Sequence, residues 1–273
     1  VSNAGGLGLL GAGSMHPETL REHIRKCREA THHAFGVNIP LMYPQIEEIM
    51  QIVADEGVKI VFTSAGSPKK WTGWLHERGI TVVHVVSSSR FAVKAEEAGV
   101  DAIVAEGFEA GGHNGREETT TLCLIPAVRT VTTLPLIAAG GIATGEAMLA
   151  ARVLGAEGVQ IGTRFALTAE SSANEVFKDY CLHLEEGDTR LLLKKLAPVR
   201  LVRNNFRSAV EAAEAVGASE EELRILLGRG RAKRGIFEGD LEEGELEIGQ
   251  VSVLLHGKGV QSVASVMQEL VEE

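Results

Sequence analysis

Glu97-Ala98-Gly99-Val100-Asp101-Ala102-Ile103-Val104-Ala105-Glu106 compresses the unit of the fold into one short stretch. The segment before it, Arg90–Ala98, has helical spacing, Gly99 stops it, and an almost continuously apolar run follows. A strand that is apolar on both faces needs helices on both sides, which is the setting of a parallel sheet. The same helix-glycine-strand order recurs at Glu56-Gly57-Val58, Arg78-Gly79-Ile80 and Leu154-Gly155-Ala156. Working outward, apolar runs stand at Leu7–Gly11, Phe35–Leu41, Val58–Ser64, Ile80–Val86, Asp101–Glu106, Leu134–Ala139 and Gly158–Phe165. They start roughly 21 to 33 residues apart, the length of one strand-helix unit. Between them lie helical patterns such as Pro44–Asp55, with Ile46, Ile49, Met50 and Val53 on one face.

These runs make seven strand-helix units, whereas a closed barrel of this kind takes eight. Val1-Ser2-Asn3-Ala4-Gly5-Gly6 reads as the end of a helix and its glycine cap, with no strand before it. The expected fold is therefore an α/β TIM (β/α)8 barrel over residues 1–170, its first strand preceding Val1. Beyond about residue 170 the alternation stops, and Leu191–Leu201, Ser208–Val216, Ser219–Leu227 and Val260–Val271 read as helices. Ser219 and Glu222 have the spacing of a capping box, and Gly235–Gly249 reads as irregular. Residues 171–273 are expected to form a helical layer or lid beside the barrel mouth.

Composition agrees with that class. Of 273 residues 44% are apolar, only 4% are aromatic and 31 are glycine, which suits an aliphatic α/β core and excludes a largely disordered chain. Lys and Arg number 27 against 37 Asp and Glu, a net charge of −10 that argues against wholesale binding to nucleic acid or to an anionic membrane. No apolar run approaches the roughly 20 residues that span a bilayer. Cys27, Cys123 and Cys181 lack metal or disulfide spacing and read as packing residues in a reducing, cytoplasmic setting. His16, His23, His32, His33 and His84 fall on separate units, so no metal site is expected.

Ligands of parallel barrels bind at the C-terminal strand ends. Three loops stand out there: Glu106-Gly107-Phe108-Glu109-Ala110-Gly111-Gly112-His113-Asn114-Gly115, Ala138-Ala139-Gly140-Gly141-Ile142 and Gln160-Ile161-Gly162-Thr163-Arg164-Phe165. Gly140-Gly141 and Gly162-Thr163 would offer backbone N–H groups to the phosphate of a mononucleotide or of a phosphorylated substrate. His113, flanked by glycines, could approach a flat ligand and exchange protons near neutrality. Gly5-Gly6-Leu7-Gly8 is not a dinucleotide fingerprint, because there the strand precedes the glycines and here it follows. Trp71 and Trp74 read as packing or helix-surface aromatics, and Arg229-Gly230-Arg231-Ala232-Lys233-Arg234 as a solvated face or a local dock.

Taken together with Gly5-Gly6-Leu7-Gly8, Gly11-Ala12-Gly13 and Phe35-Gly36-Val37-Asn38, these loops resemble the FMN-dependent family of flavin-type enoyl-acyl carrier protein reductases and nitronate monooxygenases. The resemblance runs in family order over most of the chain. It implies FMN at the C-terminal face, with Asn38, Glu106, Gly111, Gly112, Gly140, Gly141, Gln160, Gly162 and Thr163 as cofactor contacts and His113 as the active-site histidine. It also implies a homodimer, and a first strand that has no counterpart here. Of the two activities the reductase is favoured, an NAD(P)H-dependent enzyme of fatty acid synthesis whose substrate rides on acyl carrier protein. The grounds are Glu106 in place of a Gln-Gly form, and the basic residues Lys194, Lys195, Arg200, Arg203, Arg229, Arg231, Lys233 and Arg234 as a dock for an acidic carrier. The alternative is a nitronate monooxygenase oxidising alkyl nitronates with O2. A flavin-binding protein without catalysis is a third reading, against which the intact His113 loop speaks.

Overall fold

The computed structural model describes residues 1–13 and 15–272. Its strands are β1 (Gly8–Gly11), β2 (Phe35–Pro40), β3 (Ile60–Ser64), β4 (Thr81–Val86), β5 (Ala102–Glu106), β6 (Gly112–His113), β7 (Leu136–Ala139), β8 (Gly158–Gln160), β9 (Thr189–Leu192) and β10 (Val199–Val202). The helices are α1 (Pro17–Ala30), α2 (Ile46–Asp55), α3 (Lys69–His76), α4 (Ser89–Glu97), α5 (Thr121–Arg129), α6 (Gly145–Val153), α7 (Thr163–Ala166), α8 (Glu175–Cys181), α9 (Asn205–Ala215), α10 (Glu220–Leu227) and α11 (Val263–Glu272).

All seven expected barrel strands form, in one parallel sheet of order β1-β2-β3-β4-β5-β7-β8. The sheet curls in the manner of a (β/α) barrel and is open between β8 and β1 among the described residues. Its strands are apolar on both faces for the reason expected. Val61, Val82, Ile103 and Leu136 pack under Leu20, Ile49 and Leu75 of the surrounding helices. The alternate positions Phe62, Val83, Val104 and Ala139 form a smaller inner cluster. The four glycine stops all hold positive φ, at 65° for Gly57 and Gly79, 80° for Gly99 and 110° for Gly155. Glu56, just before one of them, is buried and receives Arg21, Arg25 and Arg28 of α1, locking the first two helices together. Trp71 and Trp74 pack edge to face on α3 with centroids 5.6 Å apart, as their packing role requires.

Near the N-terminus Ser2–Ala4 is a single 3-10 turn that ends on Gly5 at φ 94°, close to the expected helix end. The run Gly158–Phe165 is not all strand: β8 stops at Gln160 and α7 begins at Thr163.

Leu191–Leu201 is a larger correction. Instead of a helix it forms the hairpin of β9 and β10, whose outer partner is β6. Pro198 would have interrupted any helix there, and Leu193 turns the chain at φ 58°. The pairing that decides the matter, Arg200 with Gly112 and Val199 with His113, is long-range and has no periodic trace. The helices α9 to α11 do form, and Ser219 and Glu222 complete their capping box. Gly235–Gly249 opens with a wide π turn over Lys233–Phe237 and then runs irregularly. Residues beyond 171 do not all sit at the mouth, since α11 returns to pack on α6, α7 and the N-terminal turn. No helix among the described residues is long and apolar enough to cross a membrane.

The C-terminal region is anchored by Phe177, 1% exposed at the centre of a cluster with Leu167, Leu246, Ile248 and Val251. Phe177→Ala should lower unfolding free energy by about 3–5 kcal/mol in urea denaturation, through a cavity the neighbours cannot fill.

Candidate active site

Strand parity sets the first residues of the site. Asn38 on β2, Glu106 on β5 and Gln160 on β8 alternate with the helix-facing Val37, Ala105 and Val159, so they face inward at the C-terminal ends of their strands. The loop after Glu106 is then built by a chain of specific bonds. Gly107 N–H donates to the Ala139 carbonyl at 2.9 Å, joining this loop to the end of β7. Glu109 accepts from Thr121 N–H at 3.0 Å, at the start of α5. Thr121 Oγ1 lies 3.0 Å from Glu109 Oε2 and 2.8 Å from the Gly140 carbonyl, so one hydroxyl ties three segments.

The far half of the loop is held from β10. The Arg200 side chain is 1% exposed, and its Nε donates to the carbonyls of Ala110 at 3.1 Å and Phe108 at 3.2 Å. Its guanidinium also lies 4.9 Å from the centre of the Phe108 ring. Asn114 Nδ2 donates to the carbonyls of Ala110 and Gly112 at 3.0 and 2.9 Å, closing the loop on itself. Across Gly111 the chain of Ile248-Gly249 passes so near that a Cβ would lie 2.5 Å from the Ile248 carbonyl carbon. Gly249 N–H reaches Thr163 Oγ1 at 3.0 Å, and Gln250 N–H reaches the Glu109 carbonyl at 2.9 Å.

Together these segments enclose a cavity of about 230 Å³. Glu106, Gly111, Gly140, Gly141, Gln160, Gly162 and Thr163, all expected from sequence, line it. Asn38, Gly112 and His113 do not line it. Gly112 stands just outside at φ 71° with the Glu247 carboxyl against it. His113, on β6, exposes its ring, and desolvation by the protein around it holds its pKa below the usual histidine value. The wall also takes Glu109, Ile236, Glu247, Ile248 and Val251, which sequence reasoning did not select. Glu109 lay within the quoted motif, and its place there was the available signal. The others come from the irregular Gly235–Gly249 stretch and its continuation.

The polar wall fits a phosphate-bearing ring such as FMN. Gln160 Oε1 is buried without a hydrogen-bond partner, and the N–H groups of Gly141 and Gly162 donate to no described residue. A Cβ on Gly162 would meet nothing within 4 Å, which leaves space for a ligand beside its amide.

Of the residues expected as a basic dock, one is misplaced. Arg200 is interior, serving the loop. Lys194 pairs with Glu118, Arg203 with Asp188, Lys233 with Glu238 and Arg234 with Asp240, while Lys195 Nζ donates to the Gly217 and Ala218 carbonyls. These other cations remain at the surface, each beside an acidic or carbonyl partner of the chain.

Two outcomes follow from this geometry. Burial pushes the Glu106 carboxyl up to about 7, whereas in an unfolded chain it would ionise near about 4.3. Between those values the unfolded chain releases a proton that the folded one keeps, so stability falls as pH rises to about 7 and is level beyond. Glu106→Gln should therefore stabilise the apoprotein by about 2–3 kcal/mol at about pH 8 and by almost nothing at about pH 4, in denaturation curves at both values. Gly140, at φ 83°, would place a Cβ 2.6 Å from the Gly107 carbonyl oxygen. Gly140→Ala should cost about 1–3 kcal/mol in the same measurement, and an unchanged midpoint would contradict the close approach.

Comparison with known proteins places this site in context. The family model for nitronate monooxygenase matches residues 1–56 and 45–273. A probable nitronate monooxygenase of Staphylococcus aureus (strain JH9) is 33% identical over 233 residues, covering 69% of this chain and 66% of the relative. A probable nitronate monooxygenase of Staphylococcus haemolyticus (strain JCSC1435) is 33% identical over 234 residues, with the same coverage. The chain thus spans about two thirds of the length of these curated relatives. Among solved structures, FabK from Thermotoga maritima superposes with a TM-score of 0.91 at 39% identity, covering 100% of this chain and 86% of that one. A nitroalkane oxidase from Streptomyces ansochromogenes superposes with a TM-score of 0.84 at 26% identity, covering 100% and 89%. With a family model matched along its length and relatives at this level of identity, the chain belongs to the nitronate monooxygenase family of oxidoreductases.

Proposed function

We propose that this protein binds FMN in the cavity at the ends of β5, β7 and β8 and acts as an NAD(P)H-dependent enoyl-acyl carrier protein reductase. The observation that carries the flavin is the unpartnered Gln160 Oε1 beside the free amides of Gly141 and Gly162. The likeness to FabK over the whole of this chain, at 39% identity, favours the reductase side of the family resemblance. A role in fatty acid synthesis, a cytoplasmic location and a homodimer belong to the same reading.

FMN, when bound, supplies the hydride chemistry. The chain's own part is positioning and electrostatics. Gly141, Gly162 and Thr163 would hold the phosphate through backbone N–H groups and a hydroxyl. Gln160 would offer a buried acceptor to the polar edge of the ring, and Glu106, pushed up to about 7 by burial, a carboxyl that donates when protonated and accepts when ionised. His113, on β6 outside the cavity wall and with its pKa held below the usual histidine value by desolvation, would in this reading orient a substrate carbonyl or hold a proton beside it.

A second reading, oxidation of alkyl nitronates with O2, is favoured by the family model and by the name of the curated relatives. It uses the same cavity, with His113 as base or anion stabiliser. Anaerobic mixing of the holoprotein with NADH or NADPH, and separately with propyl-2-nitronate, decides between them. Rapid bleaching of the flavin by pyridine nucleotide is expected. Bleaching by nitronate alone would reverse the ranking, and a protein that takes up no flavin would defeat both. His113→Asn should retain the flavin yet lower kcat/KM by about a hundredfold or more.

A further inference from the structure

The turn that follows β8 carries a buried cation that none of the roles above uses. Arg164 stands directly after Thr163 in α7 and is 2% exposed. Neither it nor any residue of α11 lines the cavity. A guanidinium in that position needs its donors met and its charge answered. Nη1 donates to the Ala143 carbonyl at 2.6 Å, in the stretch that leads from Gly140-Gly141 to α6. Nη2 pairs with Glu269 of α11, the only carboxylate in contact with it among the described residues, and lies 3.5 Å from Gln261 Oε1. Nε has no hydrogen-bond partner, so the whole hold is exerted through the two Nη atoms. One guanidinium thus joins the Gly162-Thr163 turn, the stretch after Gly140-Gly141 and the last helix. Glu269 is held in its turn, with Lys258 Nζ 3.2 Å from Oε2 and Gln261 Nε2 donating to Oε1. The chain after α7 is fastened to the same helix: Ala169 N–H donates to the Gln261 carbonyl at 2.9 Å, and the Glu170 carboxylate accepts from Val263 N–H at 2.9 Å.

We propose that Arg164 and Glu269 are a positioning pair that holds the Gly140-Gly141 and Gly162-Thr163 turns at one spacing, so that the last helix governs how tightly the cavity grips the phosphate of its ligand. This rests on the flavin reading, in which the amides of Gly141 and Gly162 would meet that phosphate. An anion bound by amides from two separate turns is sensitive to their separation, because an N–H···O bond weakens once its atoms part beyond about 3.2 Å. The sheet does not set that separation by itself. β7 and β8 pair only as far as Ala139 with Gln160, and both turns lie past the last paired residues. Arg164 crosses from one turn to the other just past that point. Without Glu269 its charge would stay in the interior with no counter-ion, and the guanidinium would be drawn toward water or another carboxylate, taking Ala143 and Thr163 with it. The planar fork is needed as well, since two donors must point at two different segments.

The test compares FMN with riboflavin, the same ring without the phosphate, each titrated by quenching of flavin fluorescence. The wild-type protein should prefer FMN, and Glu269→Gln should cut that preference about tenfold or more while binding riboflavin within about twofold of wild type. The phosphorus NMR resonance of bound FMN should move in the same variant, because it reports the surroundings of the phosphate in the folded protein alone. Glu56→Gln breaks the buried pairs with Arg21 and Arg25 and touches neither turn, so it controls for a general loss of stability, and both readouts should stay at their wild-type values. Should Glu269→Gln fail to fold, Arg164→Lys keeps the charge and loses the fork, and the same fall in preference is expected. Equal weakening of both flavins, an unchanged preference, or a wild-type protein that prefers neither flavin overturns the inference and leaves the flavin reading standing. Failure to bind either flavin would bring down the flavin reading and the inference together.

Discussion

The buried guanidinium of Arg200 is the contact on which the site's architecture rests. Burying a charge in a protein interior is costly unless its donors are satisfied, and here they meet the Phe108 and Ala110 carbonyls, with Nη1 3.3 Å from Thr189 Oγ1. The result is that a glycine-rich loop, intrinsically the most mobile part of such a barrel, is fastened to a hairpin nearly a hundred residues further along the chain. Because β10 pairs with β6, the same hairpin sets the backbone of His113. The Ile248-Gly249 chain can then lie against Gly111 and seal the cavity wall. A lysine could not serve in this way, since its single ammonium lacks the planar fork that spans two carbonyls and covers an aromatic ring.

This dependence on a distant hairpin explains what was legible in the sequence. The seven strands of the sheet and the glycine stops were readable, because apolar runs and left-handed caps are local consequences of helix-covered parallel strands. Residues at strand ends, such as Glu106 and Gln160, were legible for the same reason, their position following from parity. Leu191–Leu201 misled because its leucines and lysines suit a helix intrinsically, and only pairing with Gly112 and His113 makes them extended. Glu247 was invisible for a related reason. It lies in a stretch without period, and it joins the wall only where the chain returns to the cavity.

On the proposal of a bound flavin, a chain of net charge −10 would build a site for an anionic cofactor without a basic cluster. Its positive potential comes from unpartnered backbone amides at Gly141 and Gly162. Its acidic residues are moved toward neutrality by burial, as the raised values of Glu106 and Glu247 indicate. That arrangement lowers the stability of the folded chain above the ordinary carboxylate range, which is the usual trade between a prepared site and a stable one.

On the flavin reading proposed above, such a site would set flavin geometry without dictating what exchanges electrons with the flavin. Every cavity residue discussed above would serve a reductase or a nitronate oxidase equally, since both need a held phosphate, a satisfied ring edge and a proton-handling group. Discrimination between them falls to the rest of the cavity, whose wall includes Ile236 from the π turn at Lys233–Phe237. A nitronate is small and needs little apolar wall. An acyl thioester is longer, and Ile236, Ile248 and Val251 form an apolar part of the wall against which an acyl chain could lie. That apolar part, more than the shared polar part, is what bears on the choice between the two chemistries.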